Sequence, residues 1–546
     1  MLTQINCIRN NGYKWYSSDN CKFKGYLQKE NGVVIRDYEA VKLLSSIQSY
    51  EALFSFLRQC MGVFSLILSH GNEVWLATDI ARSMPLYYTE DGSYVSDDVN
   101  ELQKVCNPLF FGLEDFRTIE MYATSYIGYQ NTIFRGIKQV ELGSVTKIKE
   151  GMITTKPYFI HHKDIQLLIT EKEAVRLLKE KTTNMIKRIL KVVGNRQIVI
   201  SLSGGYDSRY LACSLKDFGV DNVICYTYGR SDSFEVAQSK KVADALGYQW
   251  FNIPYTDVAI RNILKMETDY LDYCNRPDYS AYLQNYIAVK TLHNKKLIPE
   301  DSVFLTGLCN DMPTGAYIPD EKTLRNKYAF TNEGVATYNV DGRFTRFNIT
   351  AEAKAIFKKD VVDYLDRMCV SVHDYQSFVS ALDCLETSLS HSHCFLNMNT
   401  VHEFFGYEWL LPCWDKELLS FWYSLPANLR KGQKFYEIYI TQHLANRYGV
   451  GTKKYINSLA SKPWKVKLKR KIGGLAVSVL YPLGIPVRRN TDINNFSVLE
   501  VEIYKQLKQK CAVKSERASI VLMGTIYMME RRYGTNWYAN IRKYLV

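Results

Sequence analysis

A chain of 546 residues, 47% hydrophobic and 13% aromatic, holds apolar material for two to four packed domains at roughly 150 residues each, which excludes wholesale disorder. Thirteen Pro, 30 Gly and no low-complexity tract exclude collagen-like and linker-like chains. Lys and Arg number 69 against 56 Asp and Glu, a formal charge of +13, which favours anionic partners: nucleotide phosphates, acidic lipid or nucleic acid.

Thirteen cysteines without a CxxC pair, and an opening MLTQINCIRN without a basic-then-apolar signal, predict a cytoplasmic address. Ile472 to Val487, the best candidate for a membrane span, is 16 residues and broken by Pro482 and Pro486, so a spanning helix is not expected. No GxxxxGK[ST], HExxH or spaced Cys/His zinc pattern occurs. His391 and His393 lie two apart in a helical pattern and so do not share a face, which argues against a metal pair.

Along the chain, the first 160 or so residues alternate short apolar segments with turns, as in Gly62 to Ser69 and Glu73 to Thr78, and predict a strand-rich domain over 1–165. A helical pattern from Glu171 to Val193 then opens a region where strands and helices alternate. Gln197 to Leu202, Asn222 to Tyr228, Gln249 to Ile253 and Val303 to Gly307 read as buried strands, with helices from Ser208 and Ser233 in the first two gaps. That is βαβ wiring, a parallel sheet with ligands at its carboxyl ends. The second domain is placed at 166–455, mostly helical beyond residue 370, and a basic helical extension at 456–546. No internal repeat is visible.

Chemistry concentrates at Ser203-Gly204-Gly205-Tyr206-Asp207-Ser208, directly after a strand and before an apolar helix. Such a turn aims backbone N–H groups and a helix dipole at one point. The glycines admit phosphate oxygens, Ser203 and Ser208 add hydroxyls, and Asp207 is suited to hold Mg²⁺ among them. ATP with Mg²⁺ is the expected ligand pair.

SGGYDS resembles the SGGxDS pyrophosphate loop of the asparagine synthase family of ATP-dependent amide-forming enzymes. Upstream, GVFSLIL, LATDIARSMPLYY and YVSDDVNEL resemble the family's glutaminase-type domain, and Thr124 to Ser144 its closing segment. Downstream, Thr306 to Tyr317 resembles the second phosphate-side loop SGxGxDExxGGY, Glu408 to Pro426 the ExRxPFLD block, and Gly432 to Ile440 the Lys-containing helix beyond it. The resemblance implies an α/β fold: an amino-terminal Ntn-hydrolase-like sandwich on an ATP-pyrophosphatase domain of the adenine-nucleotide α-hydrolase type. It implies that Asp207 and Asp311 hold Mg²⁺, that Glu408 orients or deprotonates the amine, and that Lys434 neutralises charge on adenylate and pyrophosphate.

Departures shape the expectation. The family's DE pair reads Asp311-Met312, Leu410 replaces an arginine, and Leu308 stands where β-lactam synthetases, whose loop this one otherwise approaches, have a tyrosine. Residue 2 is Leu2, not the family's nucleophilic cysteine, and Cys7 reads as a small hydrophobe. The expected reaction is adenylation of a small-molecule, sugar or peptide carboxylate, then amide formation with ammonia or an amine, for which the resemblance leaves a partner glutaminase open as a source. Intramolecular ring closure, an RNA-modifying enzyme with the same loop and a non-catalytic scaffold are the rivals. Nucleic acid is not expected as a partner. The segment Lys462 to Arg489 carries eight basic and no acidic residues, a pattern compatible with peripheral lipid contact or with a solvated face.

Overall fold

The computed structural model describes residues 3–105, 114–163, 166–266, 268–274, 276–280, 283–345, 348–452, 476, 479–487, 492–507, 520–533 and 544. Its amino-terminal strands are β1 Gln4–Asn6, β2 Trp15–Ser17, β3 Cys21–Lys29, β4 Val34–Arg36, β5 Cys60–His70, β6 Glu73–Thr78, β7 Tyr87–Thr89, β8 Tyr94–Ser96, β9 Ile137–Gln139, β10 Ser144–Lys149 and β11 Met152–Pro157. They form two sheets, one ordered β11-β10-β6-β5-β3-β2 with β4 paired to β3, the other β1-β8-β7-β9. Alternation explains the sandwich. Ile67, Leu76 and Ile148 of the larger sheet meet Tyr88 and Val95 of the smaller in one buried cluster, while Leu66, Leu68 and Ala77 point the other way into the main core.

The helix Glu171–Val193 is capped by Thr170, whose hydroxyl accepts from the Glu173 N–H, and buries Ala174, Leu178, Ile186 and Val193 on one stripe. It leads into a five-stranded parallel sheet made of β12 Ile198–Ser201, β13 Val223–Gly229, β14 Gln249–Pro254, β15 Val303–Leu305 and β16 Glu408–Leu410, in the order β14-β13-β12-β15-β16. The central strands are apolar throughout because helices cover both faces. The chain moves outward from β12 to β14 and then returns to place β15 on the other side of β12. This reversal makes a switch point at the carboxyl ends of β12 and β15, where α/β sheets bind ligands. The expected α/β class, sandwich plus parallel sheet, is the fold observed.

Buried ion pairs join the two parts. Lys24 of β3 binds Glu403 at 2.8 Å, Arg276 reaches the other Glu403 oxygen at 3.2 Å, and Arg82 pairs with Asp278, which also accepts from Tyr87 Oη at 2.7 Å. No helix among the described residues is long and apolar enough to cross a membrane. The eight basic residues of the segment Lys462 to Arg489 all lie outside the described residues.

Candidate active site

After β12 the chain turns at Ser203 to Gly205 into the helix Tyr206–Asp217, whose N-cap, Gly205, has no side chain to close it. The turn is clamped by its own serines: Ser208 Oγ accepts the Ser203 N–H at 3.0 Å, and Ser203 Oγ accepts the Gly205 N–H at 3.1 Å. Beneath it, the fully buried Arg209 donates to the carbonyls of Gly204 (3.1 Å) and Val450 (3.0 Å). Burial lowers the Arg209 pKa, and among the described residues no carboxylate pairs with it. A positive charge thus backs the loop, which favours an anion in front of it.

In front lies a pocket of about 300 Å³ bordered by Ser203, Asp207, Ser208, Gly307, His402 and Asn494. His402 stacks on Phe304 with ring centroids 4.1 Å apart, and neither ring nitrogen has a protein partner. Burial lowers its pKa to about 3, so it borders the pocket as a neutral imidazole. Asn494 belongs to a carboxyl-terminal strap: the Arg230 N–H donates to Ile493 O at 2.7 Å, next to Gly229 at φ +119, where a Cβ would sit 2.4 Å from that same oxygen. Only glycine fits there.

The second lip is the loop from Thr306 to Tyr317 after β15. A Cβ on Gly307 would lie 3.2 Å from Asp207 Cβ, so glycine lets the lips approach. Asn310 Nδ2 donates to Asp207 Oδ1 at 3.5 Å, Tyr436 Oη donates to the same oxygen at 2.9 Å, and Gln433 Nε2 donates to Asp311 Oδ1 at 2.9 Å. Burial, then the charge of Asp207, keeps the Tyr436 hydroxyl protonated by raising its pKa. The structure therefore brings Ser203, Gly204, Gly205, Tyr206, Asp207, Ser208 and Asp311 to one place. Two carboxylates on facing loops fit a hard divalent cation that takes its other ligands from phosphate and water; among the described residues no three His, Cys, Asp or Glu form a metal cage.

Lys434 is the first residue of the helix Lys434–Ile438, between the two residues that hold the aspartates, with its side chain exposed. Gln433, Tyr436 and Arg209 escaped sequence reading. Only the left-handed Gln433, at φ +60 after Gly432 at +66, left a trace there, as a glycine before the helix.

Glu408 requires a correction. It sits opposite Val303 at the amino end of β16, whereas the loops leave the carboxyl ends of β12 and β15. Its carboxylate is held by Arg36 of β4 and, at 2.7 Å, by Arg196. It joins the sandwich to the sheet at the end of β16 opposite the one from which the loops leave.

Cys7 is half-buried against the cluster between the two sheets, and burial followed by the charge of Asp97 pushes its thiol pKa far up. It is a poor thiolate. His391 and His393 take different partners: His393 meets Arg82 and Asp278, and His391 lies by Tyr317.

Residues 189–456 match the family model for asparagine synthase, which supports an asparagine synthase family assignment for this region. The class is that of ATP-utilising amide-forming and related ligases with this phosphate loop. Solved structures similar to the chain include an NH3-dependent NAD synthetase from Campylobacter jejuni (13% identity over 36% of this chain and 96% of that one, TM-score 0.20). Others are a glutamine phosphoribosylpyrophosphate amidotransferase from B. subtilis (10%, 46% and 75%, 0.18) and a U34-tRNA thiolase from Methanococcus maripaludis (13%, 45% and 84%, 0.19). No curated protein matches the chain.

Proposed function

We propose that this chain is an ATP-dependent carbon–nitrogen ligase that adenylates a substrate carboxylate, releases pyrophosphate, and passes the acyl group to ammonia or an amine with loss of AMP. The observation that carries the reading is the approach of the SGGYDS loop, with Asp207 at an open helix N-terminus, to the Asp311 loop across the switch point. Mg²⁺ held by Asp207 and Asp311 would supply charge neutralisation for the triphosphate. The loop N–H groups, Ser203 and Ser208 hold the departing pyrophosphate, and Arg209 fixes the loop from behind. Lys434, at the head of the helix that orders both aspartates, answers charge on the adenylate.

The nitrogen comes from outside the amino-terminal sandwich. The high thiol pKa of the half-buried Cys7 supports a retained scaffold without its own glutaminase, so free ammonia, a partner's ammonia or an amine is the donor. A small or sugar-borne carboxylate is the preferred substrate class, with closure of a ring within one substrate the second reading, favoured by Asp311-Met312 and opposed by Leu308.

The experiment is exchange of labelled pyrophosphate into ATP with a panel of carboxylates: free amino acids, hexuronates and peptide C-termini. At least one carboxylate is expected to drive exchange. ATP cleaved to ADP with no exchange for any of them contradicts the reading.

A further inference from the structure

With Glu408 removed from the site, the amine-activating group must lie elsewhere near Asp311. The helix Tyr375–Glu386 runs without interruption into a π-helical stretch, Thr387–Phe395. Such wide turns recur at functional sites, where they displace a side chain from the regular helical face. His391 lies within this stretch, buried. The Asp311 loop closes around it: Cys309 Sγ lies 3.8 Å from the His391 carbonyl oxygen, and the Tyr317 ring centroid is 6.4 Å from the imidazole.

The hydrogen bonds of His391 define its tautomer. Nδ1 is 3.0 Å from the backbone carbonyl of Glu386 and 3.2 Å from Ser390 Oγ. A carbonyl only accepts, so Nδ1 carries the proton and a neutral ring leaves Nε2 with an open lone pair. Nε2 has no protein partner among the described residues and is not one of the sealed, unsatisfied atoms of the interior. Burial lowers the His391 pKa, and the negative charges of Glu386 and Asp311 only partly oppose this. The remaining titratable neighbours are Cys309 and Tyr317, both held protonated by burial. Glu386 is less suited to the task, because Asn339 Nδ2 (3.2 Å) and Ser390 Oγ (3.0 Å) already occupy its two oxygens.

We propose that His391 is the base of the amide-forming step, accepting at Nε2 the proton of the attacking amine beside the Asp311 loop. The proposal rests on the adenylation reading above. The amine nitrogen bonds to the acyl carbon and one of its protons moves to Nε2. The bond from that carbon to the AMP oxygen breaks with its electron pair staying on the phosphate. The imidazolium then returns the proton to solvent, so acyl-adenylate and amine give amide, AMP and a proton.

The test separates the two half-reactions with whichever panel carboxylate drives exchange in the unmodified chain. His391→Asn keeps a donor near the Glu386 carbonyl and removes Nε2. Pyrophosphate exchange should stay within about twofold, while amide formation from ammonium falls by roughly 10²- to 10⁴-fold, the span of general-base assistance. Hydroxylamine, whose adduct loses its proton to water more readily, should restore much of the product. Equal loss of both half-reactions, amide formation left intact, or a selective loss that appears in Glu386→Gln and not in His391→Asn overturns the proposal. His391→Gln is the second variant should the first not fold. Independently of turnover, ¹⁵N-histidine spectra of the full chain, assigned by difference with either variant, should show the Nδ1–H tautomer; an Nε2–H signal overturns it. Absence of exchange in the unmodified chain sinks the adenylation reading itself, which is a separate result.

Discussion

Asp207→Ala and Asp311→Ala should each lower pyrophosphate exchange by about 100- to 1000-fold, the scale of removing one preorganised charge-stabilising group. Each deletes one hard oxygen lip of the site and leaves triphosphate charge unanswered. The two variants should differ in their side effects. Asp207 also accepts from Tyr436 Oη at 2.9 Å and from Asn310, so its loss frees the helix that begins at Lys434. Asp311 accepts from Gln433, which keeps a second acceptor in Thr314 Oγ1 at 2.8 Å. Tyr436→Phe, which keeps both carboxylates, should cost only about tenfold, one hydrogen bond to a charged group. Exchange that survives either aspartate replacement would remove both from the ATP site.

The second large effect is on stability. Glu403 is buried between Lys24 and Arg276, so Glu403→Gln strands two buried cations at a cost of about 3–5 kcal/mol. Burial works to raise the Glu403 pKa, but Lys24, Arg276 and Arg9 outweigh it and hold the carboxyl at about 2. A carboxyl whose folded pKa lies below its unfolded value stabilises the protein fully above about pH 4.5, and the contribution is lost as pH falls toward 2. The difference in thermal midpoint between the unmodified chain and Glu403→Gln should therefore be large at pH 7 and shrink by pH 3. A difference that grows with acid would contradict the ion-pair account.

The sheet and the phosphate loop were legible because their causes are local. Three or four consecutive apolar residues such as Ile198 to Ile200 announce a strand buried on both faces, and two glycines before a helix announce an open N-terminus. Thr170 and Ser233 mark their helix starts as caps do. What the residues around the loops do was not legible, because it depends on contacts between distant segments. Glu408 carries the right motif spacing, yet Arg36, 372 positions away, and Arg196 claim its carboxylate. Lys434 stood out as a charge, while Gln433 and Tyr436, which touch the aspartates, look like ordinary helix residues. The spacing of His391 and His393 separated the two rings, but nothing in it signals that the helix widens to a π form or that the Asp311 loop folds over one of them. The strap at Ile493 and Asn494 was equally hidden, since its only sequence trace is Gly229, more than 260 residues earlier.

Adenylation makes a prediction that no other use of ATP shares. With the active carboxylate labelled in both oxygens with ¹⁸O, attack on the α-phosphorus carries one labelled oxygen into the nucleotide when the amide forms. Mass spectrometry of the products should find AMP bearing one ¹⁸O, unlabelled pyrophosphate, and an amide that keeps the other label. Label recovered in inorganic phosphate alongside ADP would show attack at the γ-phosphorus and contradict the account.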